Sequence, residues 1–415
     1  MEVFKPFLSR SYFNKFEKSN NFSRFVCPYN FDVRSRKKIE ILKKNEHNIF
    51  NFRNDDCEKE KLKSWIDGSI LVSSKQKVFY VYEMSYKVSG VLYSMLGIVG
   101  VLKLPEEDED FIVTCKESVL EDVERNFEFL KKFGFSSSPV CAFCDGEENE
   151  KFNSIIKNKV SSSYMYKAKQ DSVVHKIWKI NEKEHIDFLV DFFNDRVYYV
   201  FSGVEKFESA VKYKNYLKES GIVVGENKNY ILSLVFLKNS LNFTALPLHR
   251  MVSGVYNFDG KDVLDMAFQY FDVKQCKTLD SMRSVLFNCR REDKNSFGIY
   301  IDEKYYVFSL KDKKSIEKYS SFHPFENMDS CILDRLFLHD ILNVDEKDVS
   351  YCNVDGIATY CVDSGDAFFA TYLSAIRSSE FFNFLKSGKK LPDRSYSFFP
   401  NPVEGLLFYV LDENI

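Results

Sequence analysis

Two cysteines at short spacing are the first residues in this sequence that could do chemistry. Cys141 and Cys144 are separated by two residues, which is the spacing of paired zinc ligands and of redox dithiols. No second cysteine pair and no histidine at a matching distance accompanies them, so the pattern lacks a complete set of four zinc ligands. We predict reduced cysteines, no metal and no cofactor.

Histidine is the side chain that most readily exchanges protons near neutral pH. Only His249 adjoins another strong candidate, Arg250, just after a predicted strand. A planar guanidinium offers paired donors, which suits a phosphate or carboxylate ligand. The alternative is a strand-end pair that satisfies backbone carbonyls or a structural carboxylate. The remaining histidines are His47, His175, His185, His323 and His339.

A corner between a predicted strand and a predicted helix offers a second place for an anion. The strand is predicted over 197–201 and the helix from residue 205, with Gly203 between them. Lys206 and Glu208 fall at the start of this helix, where free N–H groups and the helix dipole favour a negative ligand. The alternative is the charged first turn of an ordinary helix. Arg394, between two prolines of an aromatic-rich segment, is a further basic candidate.

The elements that would position these residues alternate along the chain. Runs of β-branched and aromatic residues predict strands, and apolar stripes at helical spacing predict helices between them. The polar stretch 145–170 is predicted to be a mobile loop. The pattern indicates a mixed α+β protein of two packed subdomains, with mixed sheets flanked by helices. We expect an N-terminal α/β domain over residues 1–225 and a C-terminal α+β domain over residues 226–415.

Composition narrows the class of protein without giving its function. Of 415 residues, 45% are hydrophobic and 29% charged, which excludes a disordered tail, a collagen and a coiled-coil rod. A formal net charge of −3 provides no global field toward nucleic acid or an anionic membrane. The basic stretches 34–38 and 386–394 could each meet a polyanion, with a solvated face as the alternative. Because no apolar run has the length of an export signal or a membrane span, we predict a cytoplasmic protein without a membrane partner.

Several separated segments, taken in order, resemble one family over nearly the whole chain. The family is the group of bacterial and archaeal proteins known as domain of unknown function 1015. The matching segments are Phe4-Lys-Pro-Phe7, Val26-Cys-Pro-Tyr29, Asn45-Glu-His-Asn48, Tyr80-Val-Tyr-Glu83, Ser138-Pro139, His175 with Trp178, Pro247-Leu-His-Arg250, and Arg394-Ser-Tyr-Ser-Phe-Phe-Pro400 before Gly405-Leu406.

The departures from the family lie in its polar signatures. Phe201-Ser-Gly-Val-Glu-Lys-Phe-Glu208 stands where the family has Ala-Asp-Gly-His-His-Arg-Tyr-Glu. Cys115-Lys-Glu-Ser118 replaces its His-Glu-x-Thr, and Asp393-Arg-Ser-Tyr396 its Pro-Lys-Ser-Thr. Valine at position 204 cannot exchange protons or bind a metal. The family's box is similar to the phosphate-handling box of the ParB and sulfiredoxin superfamily, so the resemblance implies a nucleotide or phosphate pocket. Its vestigial candidates here are Gly203, Lys206, Glu208, His249, Arg250 and Arg394.

Two functions from different classes fit this pattern. The first is a non-enzymatic scaffold derived from an enzyme-like fold, which binds a macromolecular partner such as RNA or a ribonucleoprotein like the ribosome, with no disulfide-linked partner. The second is an enzyme or sensor that binds a nucleotide or a small phosphorylated ligand. Because polar signatures are replaced while the apolar spacing is kept, the sequence favours the scaffold.

Overall fold

The computed structural model of the protein describes residues 2–13, 21–28, 36–53, 57–88, 90–170, 172–240, 244–254, 257–319, 328–376, 381–382, 385 and 390–412. The chain divides into two compact units: residues 1–243 with 400–415, and residues 244–399. The domain boundary that we expect between residues 225 and 226 remains a prediction.

The first unit is built around a nine-stranded sheet. The order of its strands is β10-β11-β5-β6-β13-β9-β12-β7, and β1 also pairs with β6. The strands of this unit that precede the second unit are β1 (Phe4–Lys5), β2 (Arg10–Tyr12), β3 (Cys27–Pro28), β4 (Leu71–Ser73), β5 (Phe79–Val88), β6 (Val91–Lys103), β7 (Ile112–Thr114), β8 (Phe135–Ser136), β9 (Val140–Cys144), β10 (Tyr166–Gln170), β11 (Val173–Ile180), β12 (Tyr198–Ser202) and β13 (Tyr230–Leu237).

The sheet of the first unit has a fully buried central strand and mixed strand directions. All eight residues of β13 are buried, as expected for an apolar run in the middle of a sheet that is covered on both faces. β13 runs parallel to β9, and β12 runs parallel to β7, whereas the other pairs are antiparallel. The sheet is therefore mixed.

Six α-helices lie in the described residues of the first unit. Among them, α3 packs against α6, and Val123, Phe127 and Leu130 form the buried stripe of α3 that the helical spacing predicts. Short 3₁₀ turns lie at Ile49–Arg53, Glu226–Asn229 and Lys238–Ser240. The helices are α1 (Arg36–Lys43), α2 (Lys61–Asp67), α3 (Leu120–Phe133), α4 (Glu150–Val160), α5 (Lys183–Phe193) and α6 (Val204–Glu219).

The prediction of a mobile loop over residues 145–170 is wrong, because this segment contains α4 and β10. The Asn149 side chain caps α4 by accepting the N–H of Phe152 at 2.8 Å, which supplies a partner for one of the free donors at a helix start. Phe152 and Ile155 are buried at helical spacing. These two apolar anchors stabilise the helix although the rest of the segment is polar.

The second unit contains a six-stranded antiparallel sheet with helices on both faces. Its strand order is β16-β18-β17-β20-β15-β19, and β14 pairs separately with β21. One face packs against α7 and a π-helical stretch, the other against α8 and α10. The strands are β14 (Thr244–Pro247), β15 (His249–Val252), β16 (Phe271–Cys276), β17 (Ser296–Ile301), β18 (Lys304–Leu310), β19 (Val349–Cys352), β20 (Phe369–Tyr372) and β21 (Tyr396–Phe399).

The helices of the second unit include one irregular segment. The predicted helix over 330–342 begins as an α-helical turn and continues as a π-helix over Ile332–Ile341. Two 3₁₀ segments lie at Lys313–Tyr319 and Glu346–Asp348. The α-helices are α7 (Gly260–Ala267), α8 (Leu279–Arg291), α9 (Asp329–Cys331) and α10 (Asp355–Asp363). The mixed α+β fold predicted from the sequence is confirmed.

Two short strands return to the first unit after the second. They are β22 (Val403–Glu404) and β23 (Tyr409–Val410). β22 pairs with β3, and β23 pairs with β8. Gly405 follows β22 with a φ of 94°, in the left-handed region where glycine is favoured. Its N–H donates to the Ser137 carbonyl at 3.0 Å, so β22 is held in place on both sides.

A buried histidine supports this return of the chain. The Val403 N–H donates to the Tyr82 hydroxyl at 3.1 Å, which leaves the Tyr82 proton for His175 Nδ1 at 3.0 Å. His175 is 1% exposed, and burial lowers its pKa to about 3. The imidazole is therefore neutral, with Nδ1 as an acceptor.

This burial predicts a pH dependence of stability. The folded state keeps His175 neutral while the unfolded chain protonates it, so stability is lost as pH falls from the ordinary histidine pKa toward about 3. Between about pH 7 and about pH 5, His175 should account for a loss of roughly 2 kcal/mol in the free energy of unfolding. Urea denaturation across this range should show a smaller pH slope for His175→Gln than for the wild type. His339→Gln, at a side chain that is 77% exposed, is the control and should keep the wild-type slope. Equal slopes for both variants would contradict the assignment.

Candidate functional site

The corner between β12 and α6 carries residues 201–208, the segment that the sequence resemblance aligns with the family's polar box. Gly203 joins the two elements with a φ of 78° and has no side chain to cap the helix. Val204 and Phe207 are buried beneath the first turn. Lys206 and Glu208 instead make polar contacts, each with a different segment of the first unit. The first turn of α6 therefore has apolar side chains that are buried and charged side chains that contact neighbouring segments.

Lys206 belongs to a cluster of charged side chains around a buried carboxylate. Its Nζ lies 3.2 Å from Glu404 Oε1 and 2.6 Å from Ser138 Oγ. Arg53 Nη2 donates to the other oxygen of the same carboxylate, Oε2. We call these four residues, Arg53, Ser138, Lys206 and Glu404, the Glu404 cluster. They come from four segments of the chain that the fold brings together.

The electrostatics of the Glu404 cluster favour its charged state. Burial acts to raise the pKa of Glu404, but the charges of Arg53 and Lys206 outweigh it and hold that pKa below its ordinary value. Burial likewise opposes the charge of Arg53, yet Glu404 raises its pKa. Cys27 pairs with Glu404 across β3 and β22, and burial together with the Glu404 charge raises the pKa of its thiol to about 12. Cys27 is therefore neutral, and the cluster has two cations for one anion.

The segment 115–118 lies against the start of α6. Lys116 Nζ lies 3.7 Å from Glu205 Oε2, and Ser118 Oγ donates to Glu208 Oε2. Burial acts to raise the pKa of Glu205, but the Lys116 charge leads the effects that hold it below its ordinary value. The segment 115–118 and the box 201–208 therefore form one polar surface around the start of α6.

In the second unit, Arg250 anchors a strand. Its guanidinium is fully buried, with Nε 2.8 Å from Asp334 Oδ1 and Nη2 2.5 Å from Asp334 Oδ2. Nη1 donates to the Leu248 carbonyl. Each of the three guanidinium nitrogens therefore donates to an oxygen atom of the protein. This is the geometry of the structural alternative considered for the His249–Arg250 pair.

His249 and Arg394 are also engaged within the second unit. His249 Nδ1 accepts the Leu373 N–H at 3.3 Å, and Nε2 lies 2.5 Å from Asp355 Oδ1. Burial, then the charges of Arg250 and Arg283, lower the His249 pKa to about 4. Arg394 Nη1 lies 2.6 Å from Glu346 Oε1 and 3.3 Å from the Tyr351 hydroxyl.

The predicted site residues therefore fall into two groups. Gly203, Lys206 and Glu208 belong to the first unit, and His249, Arg250 and Arg394 belong to the second. Sequence reasoning missed Arg53 and Glu404. Arg53 lies five residues after the Asn45–Asn48 match, and Glu404 directly precedes Gly405-Leu406, so both adjoin segments that carried the resemblance. His323 and residues 34–35 and 386–389 of the two basic stretches lie outside the described residues.

The cysteine pair that opened the sequence analysis lies within one strand, β9. Residues three apart on a strand point to opposite faces and lie roughly 10 Å apart. All ten cysteines are free. Within the described part of the chain, no group of three or more His, Cys, Asp or Glu side chains could hold a metal ion, and no helix is long and apolar enough to cross a membrane.

The fold is that of an α+β protein in which two segments aligned with family motifs, 115–118 and 201–208, meet in the first unit. The family described as "Protein of unknown function (DUF1015)" matches residues 13–331. The chain belongs to this family, as its ordered motifs predict. No curated protein matches it.

Several solved structures resemble the chain at low identity. A conserved hypothetical protein from Pyrococcus furiosus is 10% identical, with a TM-score of 0.39, over 75% of this chain and 94% of its own. A free serine kinase variant in complex with AMP is 11% identical, with a TM-score of 0.38, over 72% of this chain and 86% of its own. C-terminally truncated SbnI from Staphylococcus aureus is 9% identical, with a TM-score of 0.35, over 74% and 85%.

The prediction that the protein is a non-enzymatic scaffold is wrong. The alternative of a nucleotide or a small phosphorylated ligand fits better. The scaffold prediction rested on substitutions at three polar signatures, whereas the segment 201–208 retains Lys206 and Glu208 in contact with other polar side chains. Nothing in the described residues or in the comparisons supports an RNA or ribonucleoprotein partner. The cytoplasmic location remains a prediction.

The contacts of Arg250 predict a structural role. Arg250→Ala should lower the free energy of unfolding by about 3 kcal/mol, because it leaves Asp334 without its buried partner. Arg250→Lys should recover part of this loss, since an ammonium cannot reproduce the paired contacts of a guanidinium. Chemical denaturation followed by circular dichroism measures both. Arg125→Ala is the control, because this side chain is 72% exposed and pairs only with Asp122 among the contacts described, and it should cost less than about 1 kcal/mol.

Proposed function

We propose that the first unit binds a nucleotide or another small phosphorylated ligand at the Glu404 cluster and the adjoining start of α6. The observation that carries this proposal is the convergence of two cations, Arg53 and Lys206, with a serine hydroxyl from remote parts of the chain. Guanidinium, ammonium and hydroxyl groups are the donors that hold phosphate oxygens.

The start of α6 supports the same ligand class. Gly203 leaves the helix without a side-chain cap, and the positive end of the helix dipole favours an anion. Lys116 adds a further positive charge on this side, although it is shared with Glu205. The glutamates at 205 and 208 oppose close approach of a phosphate to their own face, so the Lys206 side of the corner is the favoured position.

The same surface carries groups that distinguish an enzyme from a sensor. Ser118 donates to Glu208, so this carboxylate is already an acceptor for a hydroxyl proton, as a general base must be. Val204 stands where the family has a histidine and cannot take that role. An enzyme at this corner would therefore rely on Glu208 for proton transfer, whereas a sensor would need only the cations.

Loss of a cation should weaken ligand binding. We expect Lys206→Ala and Arg53→Ala each to raise the dissociation constant for a phosphorylated ligand at least about tenfold, the effect of removing one charged hydrogen bond. The measurement is a thermal-shift screen of inorganic phosphate, AMP, ADP, ATP and small phosphomonoesters, followed by calorimetry on the hits. Lys212→Ala is the matched control, because Lys212 lies on the same helix and pairs with Glu124.

Three results are informative. If no phosphorylated compound binds either the wild type or Glu404→Gln, in which the carboxylate of the cluster is replaced by a neutral amide, the proposed function fails. If a ligand binds equally well to wild type, Lys206→Ala and Arg53→Ala, the site lies elsewhere and the assignment to the Glu404 cluster fails. If a ligand binds and is converted, and Glu208→Gln abolishes turnover while keeping affinity, the protein is an enzyme rather than a sensor.

A further inference from the structure

The Glu404 carboxylate has the surroundings of a bound ligand, although it belongs to the chain itself. Both of its oxygens are contacted by cations, one by Arg53, 351 residues away in sequence, and one by Lys206, 198 residues away. Ser138 completes the donor set through Lys206. Such an arrangement of donors is typical of a site for a carboxylate or a phosphate group.

We infer that Glu404 is an internal competitor that occupies the anion position of the proposed ligand site, so that a phosphorylated ligand binds when the Glu404 side chain leaves Arg53 and Lys206. This inference rests on the proposed function. It adds that the ligand class is a dianionic phosphomonoester and that its affinity is limited by the chain's own carboxylate.

The charge balance of the cluster favours a phosphomonoester over the Glu404 carboxylate. Within the cluster, Arg53 and Lys206 face the one carboxylate of Glu404, and the Cys27 thiol is neutral. The neighbouring Glu205, on which the Lys206 charge also acts, has Lys116 as its own cation partner. A phosphomonoester carries a charge of about −1.5 to −2 at neutral pH, so it neutralises both cations where a carboxylate neutralises one. The Glu404 and Lys206 side chains are only 11% and 16% exposed, which limits screening by water and strengthens this difference.

The backbone confines the change to one side chain. Val403 and Gly405 hold the strand through the Tyr82 hydroxyl and the Ser137 carbonyl, and Glu404 pairs with Cys27. The carboxylate can therefore leave the cations only by rotation about its own side-chain bonds. Arg53, whose side chain is 31% exposed, is the cation that an incoming phosphate reaches from solvent.

The test compares phosphate affinity in full-length variants by calorimetry, with inorganic phosphate and AMP as probes. Glu404→Gln removes the competing charge and keeps the shape, so it should lower the dissociation constant at least about tenfold, the counterpart of losing a charged contact. Glu404→Asp keeps the charge on a shorter stem that cannot span both cations, so it should give a smaller gain. Glu226→Gln, which removes a carboxylate that pairs with Lys5 elsewhere in the first unit, should leave affinity unchanged.

The outcomes separate this inference from the proposed function. If the wild type binds phosphate through Lys206 and Arg53 but Glu404→Gln and Glu404→Asp bind no more tightly, Glu404 is a structural partner and the inference fails alone. If neither the wild type nor either Glu404 variant binds a phosphate compound, the proposed function fails together with it. If Glu404→Gln does not fold, judged by circular dichroism, the Glu404→Asp result decides: tighter binding supports the inference, and unchanged or weaker binding overturns it.

Discussion

The ion pairs of Glu404 with Arg53 and Lys206 fix the part of the first unit in which the proposed site lies. A carboxylate that is withdrawn from water stays ionised only if cations stand within contact distance, and here they come from the 3₁₀ turn at Ile49–Arg53 and from the start of α6. The pairing of β22 with β3 must therefore position the Glu404 side chain within contact distance of both cations. Removing either cation would leave a buried charge only partly compensated.

The substitutions that first indicated a lost site are matched to one another in the structure. The segment 115–118 and the box 201–208 both depart from the family pattern, and they contact each other. A glutamate at position 205 meets a lysine at 116, and a glutamate at 208 meets a serine at 118. The corner therefore carries two pairs, each of an acidic group with a donor group.

Helices and strands could be predicted from the sequence where a periodic pattern of apolar residues lies within one short segment. The strand at Tyr230–Leu237 and the hairpin of β17 and β18 follow from short runs of β-branched and aromatic residues. The helix α4 was missed because only two apolar anchors and an asparagine cap distinguish it from a polar loop. The same restriction to short segments explains which site residues could be predicted. Gly203, Lys206 and Glu208 stand close together in sequence and could be selected, whereas no local pattern links Arg53 to Glu404 across 351 residues.

The position of β22 and β23 in the chain has a consequence for folding during synthesis. The first unit consists of residues 1–243 and 400–415, and the second unit is inserted between them. The strands that pair with β3 and β8 therefore become available only after the inserted unit has been made. Contacts between residues so far apart form late, because the intervening chain must first be ordered or looped out. Until then, Arg53 and Lys206 lack the Glu404 carboxylate, and their positive charge is offset by it only when the last segment docks.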